Sequence, residues 1–396
     1  MNNVSVIGLG YVGLPTAVKA AEAGFKVTGV DISPAKINKL KSGLSYVEDV
    51  ADESIKKVIM LNNLDLKSEI QSNSNTNIFL VCVPTPLSFD RKPDLSFLIN
   101  ATKSVGQNLL PGNLVIIEST VEPGTVRGVV LPLLEQASGL DAKDFYLAFS
   151  PERIDPGNKV WTLQTVPKLI AGISKESTEL AMNFYSKFVE NLVPVANIEI
   201  AETAKLLENT FRYINISFIN ELAMFCNALG IGINEVINAA ATKPYGFMPF
   251  YPSVGVGGHC IPVDPLYLSN KAKELGVSTK FIDLADEINI GMPIYMANIA
   301  KKKLGTLSDK EILVIGVAYK PNVSDVRETP VDALIKALRN FGAKVDWHDG
   351  LVKEWNGEKS VALSNQYDLA IIATPHSYLD LTKLGEVPIL NTRGSI

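Results

Sequence analysis

Three cysteines and three histidines are all that the 396 residues contain. Cys82, Cys226 and Cys260 are scattered, so no disulfide framework is expected and the composition fits a reducing, cytoplasmic setting. No C-x-x-C pair accompanies His259, His348 or His376, so no structural metal is expected either. An excess of basic charge is also missing, with 37 Lys and Arg against 42 Asp and Glu and a net charge of −5. Nucleic acid is therefore not an expected partner, and an anionic ligand must be held by a few placed cations or backbone amides. No apolar run approaches the ~18 residues needed to span a bilayer. The start, "MNNVSVIGLGYVG", has no basic n-region, so neither a membrane partner nor an export signal is expected. What the chain does have is core material. It is 46% hydrophobic and 20% charged, over a length too great for one ordinary core, which predicts a globular protein of two or three domains.

The first ~195 residues alternate β-rich runs with helical segments. "VSVIGLG" (4–10), "KVTGVD" (26–31), "NIFLVCVP" (77–84), "NLVIIEST" (113–120) and "FYLAFSP" (145–151) read as buried parallel strands of a doubly wound sheet. Near residue 200 the character changes. "AETAKLLENTFRYINISFINELAMFCNALG" (201–230) has no Pro, and its only Gly is the last residue, a helix stop. A helix of about 30 residues spans ~45 Å and suits a spine between domains or an interface between subunits. From Glu311 the α/β pattern restarts with "EILVIGVAY" (311–319), "AKVDWHD" (343–349), "DLAIIAT" (368–374) and "VPILNT" (387–392). The expected architecture is α/β: two Rossmann-like doubly wound lobes, residues 1–197 and 301–396, joined by a helical middle, 198–300, that contains the long helix.

"GLGYVG" places Gly8, Gly10 and Gly13 in a G-x-G-x-x-G pattern between a strand and a helical run. The first glycine serves the tight turn, the second lets backbone approach a pyrophosphate, and the third lets helix pack on strand. Asp31 ends the second strand 18 residues after Gly13, where an acid binds a ribose 2′-OH and repels a 2′-phosphate. NAD is the expected cofactor, with Lys36 as the nearby cation that would soften that repulsion. The second lobe has one glycine in "IGVAYKP" and lacks the fingerprint. Lys320, Arg327 and Arg393 follow its strands, where such sheets bind ligands, although surface cations are often only solvated.

On the long helix, Lys205, Asn209 and Arg212 follow i, i+4, i+7 and share a face, which either lines an anionic site or meets solvent. The loop "GVGGHCIPVD" (255–264) sets His259 beside Cys260. Adjacent residues in extended chain point apart, which disfavours a direct His–Cys proton relay, and no resolving cysteine is near for redox chemistry. Two readings stay open: an inert cysteine, or one that attacks a ligand brought to it. In the second, flanking glycines allow close approach, Lys205 stabilises an alkoxide, and Asp264 or Glu152 handles a proton.

Several blocks together resemble the UDP-glucose/GDP-mannose dehydrogenase family over nearly the whole chain. They are "GLGYVGLP" (8–15), "CVPTP" (82–86), "ESTVEPGT" (118–125), "SPERIDPG" (150–157), "AKLLENTFRYINISFINELA" (204–223), "SVGVGGHCIPVDP" (253–265) and "GVAYKPNVSDVRETP" (316–330). The resemblance implies two successive NAD-dependent oxidations at C6 of a nucleotide-sugar, from alcohol to acid, with Cys260 forming first a thiohemiacetal and then a thioester. It implies that Lys205 and Asn209 stabilise the oxyanion, that Asp264 activates water or Lys205, that Glu152 assists hydrolysis, and that Thr120 fixes a water. Cofactor contacts implied are Gly8, Gly10, Tyr11, Val12, Gly13, Asp31, Lys36, Val83, Pro84, Thr85, Ser119, Thr120 and Arg327. Substrate contacts implied are Glu152, Arg153, Ile154, Lys205, Asn209, Arg212, Phe250, Tyr251, Gly257, Lys320 and Arg393. A UDP-sugar partner, a UDP-binding C-terminal lobe and a homodimer through the long helix follow in the same way.

Departures bear on the substrate. Val263 stands where UDP-glucose members commonly carry Lys, Lys243 stands near where they carry a subunit-crossing arginine, and Asn391 stands where an Asp is frequent. "ATKPYGFMPFYP…GGHCIPVDP" with "FSPERIDPGN" is most similar to the UDP-N-acetyl-D-glucosamine 6-dehydrogenase branch; the UDP-N-acetyl-mannosamine branch shares "GGHCIPVDP".

Overall fold

The computed structural model describes residues 2–70, 75–155, 158 and 160–394; Pro156 and Gly157 of the "SPERIDPG" block lie outside them. The chain divides into two compact units, Met1–Leu207 and Glu208–Ile396.

The first unit is built on an eight-stranded sheet. Its strands are β1 (Asn3–Ile7), β2 (Lys26–Val30), β3 (Leu64–Lys67), β4 (Ile78–Val81), β5 (Leu114–Ile117), β6 (Tyr146–Phe149), β7 (Lys168–Gly172) and β8 (Leu192–Pro194), in the order β3-β2-β1-β4-β5-β6-β7-β8. β4 and β5 are apolar at every position because both faces are covered. Val4, Val6, Leu80 and Ile116 pack into one layer, while Ile7, Phe79, Val115 and Ile117 pack into the other. β1 lies between β2 and β4, so the chain leaves it in opposite directions along the sheet, and ligands of such sheets bind at that reversal, beyond the strand carboxyl ends. The expected parallel strands are present. β3, β7 and β8 are additions, and β7 runs antiparallel to β6.

The second unit contains the second lobe: β9 (Glu311–Ile315), β10 (Lys344–His348), the hairpin β11 (Glu354–Trp355) and β12 (Glu358–Lys359), β13 (Leu369–Ile372) and β14 (Ile389–Asn391). Its parallel sheet is ordered β10-β9-β13-β14.

The long helix runs Ile198–Leu229, 32 residues and about 48 Å at 1.5 Å per residue. The Asn197 side chain accepts the Ile200 N–H at its start, and Gly230, at φ +72°, ends it in the left-handed conformation. The boundary between the two units falls inside this helix. Among the described residues no single helix is long and apolar enough to cross a membrane.

Candidate active site

The three fingerprint glycines do three different jobs. Gly8 has φ +90°, and a Cβ there would meet the Cys82 carbonyl oxygen at 2.7 Å. A Cβ on Gly13 would meet the Gly8 carbonyl oxygen at 1.9 Å, so helix Gly13–Glu22 can start only on a glycine. A Cβ on Gly10 would meet nothing within 4 Å. That open side is the cradle a pyrophosphate fills, and the residues present fit the cofactor. Asp31 completes the turn: its Oδ2 accepts the Leu9 N–H at 3.0 Å and lies 3.3 Å from Lys36 Nζ, and its Oδ1 accepts the Ser33 N–H at 2.9 Å. Tyr46 donates to the Leu9 carbonyl, and burial together with the Asp31 charge pushes its hydroxyl pKa up. Beyond β4 and β5, Ser119 donates to Val83 O at 2.7 Å and Thr85 to Thr120 O at 2.7 Å, which ties the "CVPTP" and "ESTVEPGT" segments together.

A buried charge cluster lies beyond β5 and β6, at the first residue of β7. Lys168 Nζ is 2.8 Å from Glu118 Oε1 and 3.4 Å from Glu152 Oε2. Tyr185 and the Cys82 thiol also donate to Glu118, at 2.6 and 3.2 Å. Burial alone would lower the Lys168 pKa, but the charges of Glu118 and then Glu152 outweigh it and hold the ammonium above the usual lysine range. Burial, then the Glu118 charge, pushes the Cys82 thiol well above its ordinary value, which makes Cys82 a poor nucleophile. Glu152 itself accepts the N–H groups of Arg153 and Ile154 at 2.6 and 2.7 Å.

On the long helix the expected stripe divides. Lys205 and Asn209 are buried, whereas Arg212 is exposed. Among the described residues no ion pair or hydrogen bond engages the Lys205 ammonium, although its residue is only 8% exposed. Burying an ammonium without a partner is costly. One turn earlier, Glu202 accepts the Gly124 and Val126 N–H groups, and burial raises its pKa to about 7 against the lowering effect of those bonds.

In the second unit, Asn209 Nδ2 donates to Asp264 Oδ2 at 2.6 Å. Asp264 is the first residue of helix Asp264–Glu274, where the helix dipole favours a carboxylate. Its N–H and that of Val263 donate to the Cys260 carbonyl. Cys260 is the one cysteine that is not buried. The loop glycines face the protein more than the sequence predicted. A Cβ on Gly257 would meet Glu328 O at 2.8 Å and the Tyr319 Cβ at 2.9 Å, and one on Gly258 would meet the Tyr319 ring at 2.9 Å. Gly258 N–H donates to Arg327 O. Glycine here lets the cysteine loop lie against the 319–330 segment. Burial would raise the Asp325 pKa, but the hydrogen bonds and charge of Arg327 hold it below the usual carboxylate value, with a smaller contribution from His259.

Arg327 makes a bidentate pair with Asp325. Arg393 is mostly buried and its pKa is lowered by that burial; its Nε has no partner among the described residues. Asn391, which carries no charge, accepts the Arg393 N–H, and Asn234 donates to Arg393 O. Lys320 is half-buried, Phe250 packs edge-on to Phe211 at 5.8 Å, and Tyr251 is exposed. Sequence reasoning missed Lys168, Glu118 and Glu202. The only signal was charge inside apolar context, as in "PKLIAG" and "IEIAETAKLL".

A dinucleotide turn with Asp31, followed by a cysteine loop and a second, fingerprint-free lobe, defines an NAD-dependent oxidoreductase with a separate site for a nucleotide-bearing substrate. Three models of the UDP-glucose/GDP-mannose dehydrogenase family match in succession: the NAD binding domain over residues 2–189, the central domain over 199–290 and the UDP binding domain over 313–392. The chain belongs to that family. A UDP-N-acetyl-D-mannosamine dehydrogenase of Pyrococcus horikoshii is 37% identical over 380 residues, covering 94% of this chain and 89% of that protein. A UDP-N-acetyl-D-glucosamine 6-dehydrogenase of Pseudomonas aeruginosa is 36% identical over 390 residues, covering 94% and 90%. The solved structure of the UDP-D-ManNAc dehydrogenase from Pyrococcus horikoshii superposes with a TM-score of 0.91 at 35% identity, covering 100% of this chain and 96% of that one.

Proposed function

We propose that this member of the family oxidises C6 of a UDP-N-acetylhexosamine from alcohol to acid, with UDP-GlcNAc as substrate and Cys260 as covalent nucleophile. The observation that carries the reading is the buried Lys205 with no counter-charge among the described residues. It lies one turn before Asn209, which is bonded to the aspartate that opens the helix after Cys260. Two NAD⁺ in succession would accept hydride, first from the C6 alcohol and then from the adduct on Cys260. Between those oxidations Cys260 Sγ adds to the C6 aldehyde and gives a thiohemiacetal, whose oxygen Lys205 and Asn209 stabilise. Oxidation leaves a thioester. Water then attacks its carbonyl, Glu152 takes a proton from that water, the C–S bond breaks, and Cys260 leaves as thiolate. Asp264 holds Asn209 and poises the water or Lys205, and Thr120 fixes a second water.

In this reading residues 1–197 bind NAD, 198–300 carry the cysteine loop and 301–396 bind the UDP moiety through Lys320 and Arg393, while Arg327 exchanges Asp325 for the cofactor pyrophosphate. The setting is cytoplasmic, which keeps the thiol reduced. A second copy of the chain covers the long helix: Phe211, Phe218, Phe225 and Leu229 are exposed at steps of 7, 7 and 4, beside exposed Phe281, Leu284, Ile290 and Ile294 on helix Lys280–Leu304.

UDP-N-acetyl-mannosamine is the second reading, favoured by the 0.91 TM-score to the mannosamine enzyme. Incubation with NAD⁺ and a panel of UDP-sugars, counting NADH per sugar consumed, tests both. Two NADH per UDP-GlcNAc, with kcat/KM highest for it, is the expected result. Higher kcat/KM for the manno epimer overturns the substrate assignment, and one NADH per sugar overturns the four-electron chemistry. Full turnover by Cys260→Ser removes the nucleophile, and a monomer at all concentrations in sedimentation removes the dimer.

A further inference from the structure

We propose that Lys168 is the positioning residue for Glu152, aiming that carboxylate for thioester hydrolysis. The inference rests on the reading of Glu152 as the acceptor of the water proton. β1, β2, β4, β5 and β6 are parallel, so their carboxyl ends share one edge of the sheet. β7 is antiparallel to β6, which brings its first residue, not its last, to that edge. The register Phe149↔Ala171, continued three residues past the end of β6, sets Glu152 opposite Lys168. Ser150 donates to Leu169 O at 2.9 Å along the same seam, and Arg153 reaches back to the carbonyl of Pro167 at 2.6 Å.

The result is a carboxylate with one donor set per oxygen. Glu152 Oε1 takes two backbone N–H groups, and Oε2 takes the Lys168 ammonium at 3.4 Å. Lys168 is 3% exposed and its ring neighbour is Tyr185, 4.9 Å from the ammonium. Glu118 already has the Tyr185 hydroxyl and the Cys82 thiol as donors, with Thr16 at 3.5 Å. A lysine whose only task was to satisfy Glu118 would be an expensive choice, since apolar residues of similar volume usually replace buried ion pairs without loss of stability. Its reach to Glu152 gives the burial a purpose. In the hydrolytic step Glu152 accepts the water proton while hydroxide oxygen bonds to the thioester carbon. Lys168 acts through the carboxylate.

Removing the ammonium would leave Glu118 and Glu152 with no cation between them, and Cys82 and Tyr185 beside them give no compensating charge. Proton uptake is then favoured, so the acid limb of the pH–kcat profile moves up. The test uses NAD⁺ with the UDP-sugar the panel turns over best. Lys168→Met should lower kcat roughly tenfold or more at neutral pH, with both KM values changed less than about twofold. Its acid limb should shift up by about one pH unit, and acid-quenched enzyme should carry the sugar as a covalent adduct on Cys260 by mass spectrometry. Lys168→Arg should restore most of the rate. Glu118→Gln, which leaves the ammonium to Glu152 alone, should move the limb the opposite way, and this variant carries the test if Lys168→Met fails to fold.

Glu152→Gln is the reference. If it accumulates adduct while folded Lys168→Met neither accumulates adduct nor shifts the limb, the positioning role is overturned and the reading of Glu152 stands. If Glu152→Gln turns over normally, that reading itself fails and takes the inference with it. An unmoved limb in Glu118→Gln also counts against the role.

Discussion

Gly8 and Gly316 occupy the same turn in two different lobes. Each has a positive φ, +90° and +83°, and each lies against backbone across the sheet, Cys82 in one and Thr374 in the other. Each donates its N–H to the end of the second strand, Val30 O or His348 O. The next amide, Leu9 or Val317, donates to an aspartate at 3.0 Å, and the other oxygen of that aspartate takes an N–H two residues on, from Ser33 or Leu351, at 2.9 Å. The lobes part after this. In the first, a helix starts at Gly13 and Lys36 Nζ lies 3.3 Å from Asp31 Oδ2. In the second, fourteen residues pass before helix Val331–Asn340, and His376 sits on Asp349. Asn322 N–H donates to His376 Nδ1 at 2.9 Å, so Nε2 carries the proton it gives Asp349 Oδ2 at 3.0 Å, while the ring stacks on Tyr378. The imidazole gives Asp349 a fully buried side-chain partner. The same backbone device is open toward a ligand in one lobe and closed by the protein in the other.

Substitutions at the glycines should have the largest effect. Gly13→Ala and Gly316→Ala place a Cβ 1.9 and 2.1 Å from carbonyl oxygens, and each should cost about 3 kcal/mol or more in thermal or denaturant unfolding. Gly10→Ala, with open space around it, should melt within about 1 kcal/mol of the parent yet bind NAD about tenfold or more weaker by calorimetry. A wild-type melt for Gly13→Ala would break the description of the turn.

Asp349→Ala strands the His376 donor and the Val317, Leu351 and Val352 amides, and should cost about 3 kcal/mol of stability while leaving NAD affinity within about twofold. Asp31→Ala should do the reverse, weakening NAD about tenfold or more with the smaller loss of stability. Equal profiles for the two variants would erase the distinction between the lobes.

The smallest effect is in acid. Burial would raise the Asp349 pKa, but the bonds from His376 and the Leu351 and Val352 amides lower it from 3.8 to about 2. Its ionised form therefore stabilises the fold above about pH 4, and that contribution, about 2 kcal/mol, is lost as pH falls toward 2. Urea unfolding of Asp349→Asn across that range should lack this component; an unchanged pH dependence would contradict the pairing.

Local signals made most of the fold legible. The apolar runs of β1, β2, β4, β5 and β6 are long, β-branched and bounded by turn residues, and the glycine spacing needs no long-range information. β7 and β8 were not legible: β7 opens on a charge directly after Pro167, and β8 is three residues long and ends at Pro194 on the sheet edge. The cysteine loop was visible by composition, but its glycines were read as room for a ligand, because Tyr319, about 60 residues away, leaves no mark on the loop sequence. Lys168 and His376 were silent for the same reason. Their partners lie 16 to 54 residues away and meet them only through strand direction.

The helix Ile198–Leu229 limits where the protein can be divided. The compact units part between Leu207 and Glu208, so Lys205 and Asn209, one turn apart, belong to different halves. A chain cut there would expose four carbonyls and four amides in mid-helix and would separate the two residues from their common ruler. Fragments, fusions and circular permutants are better opened before Asn197, where the helix already has its natural beginning.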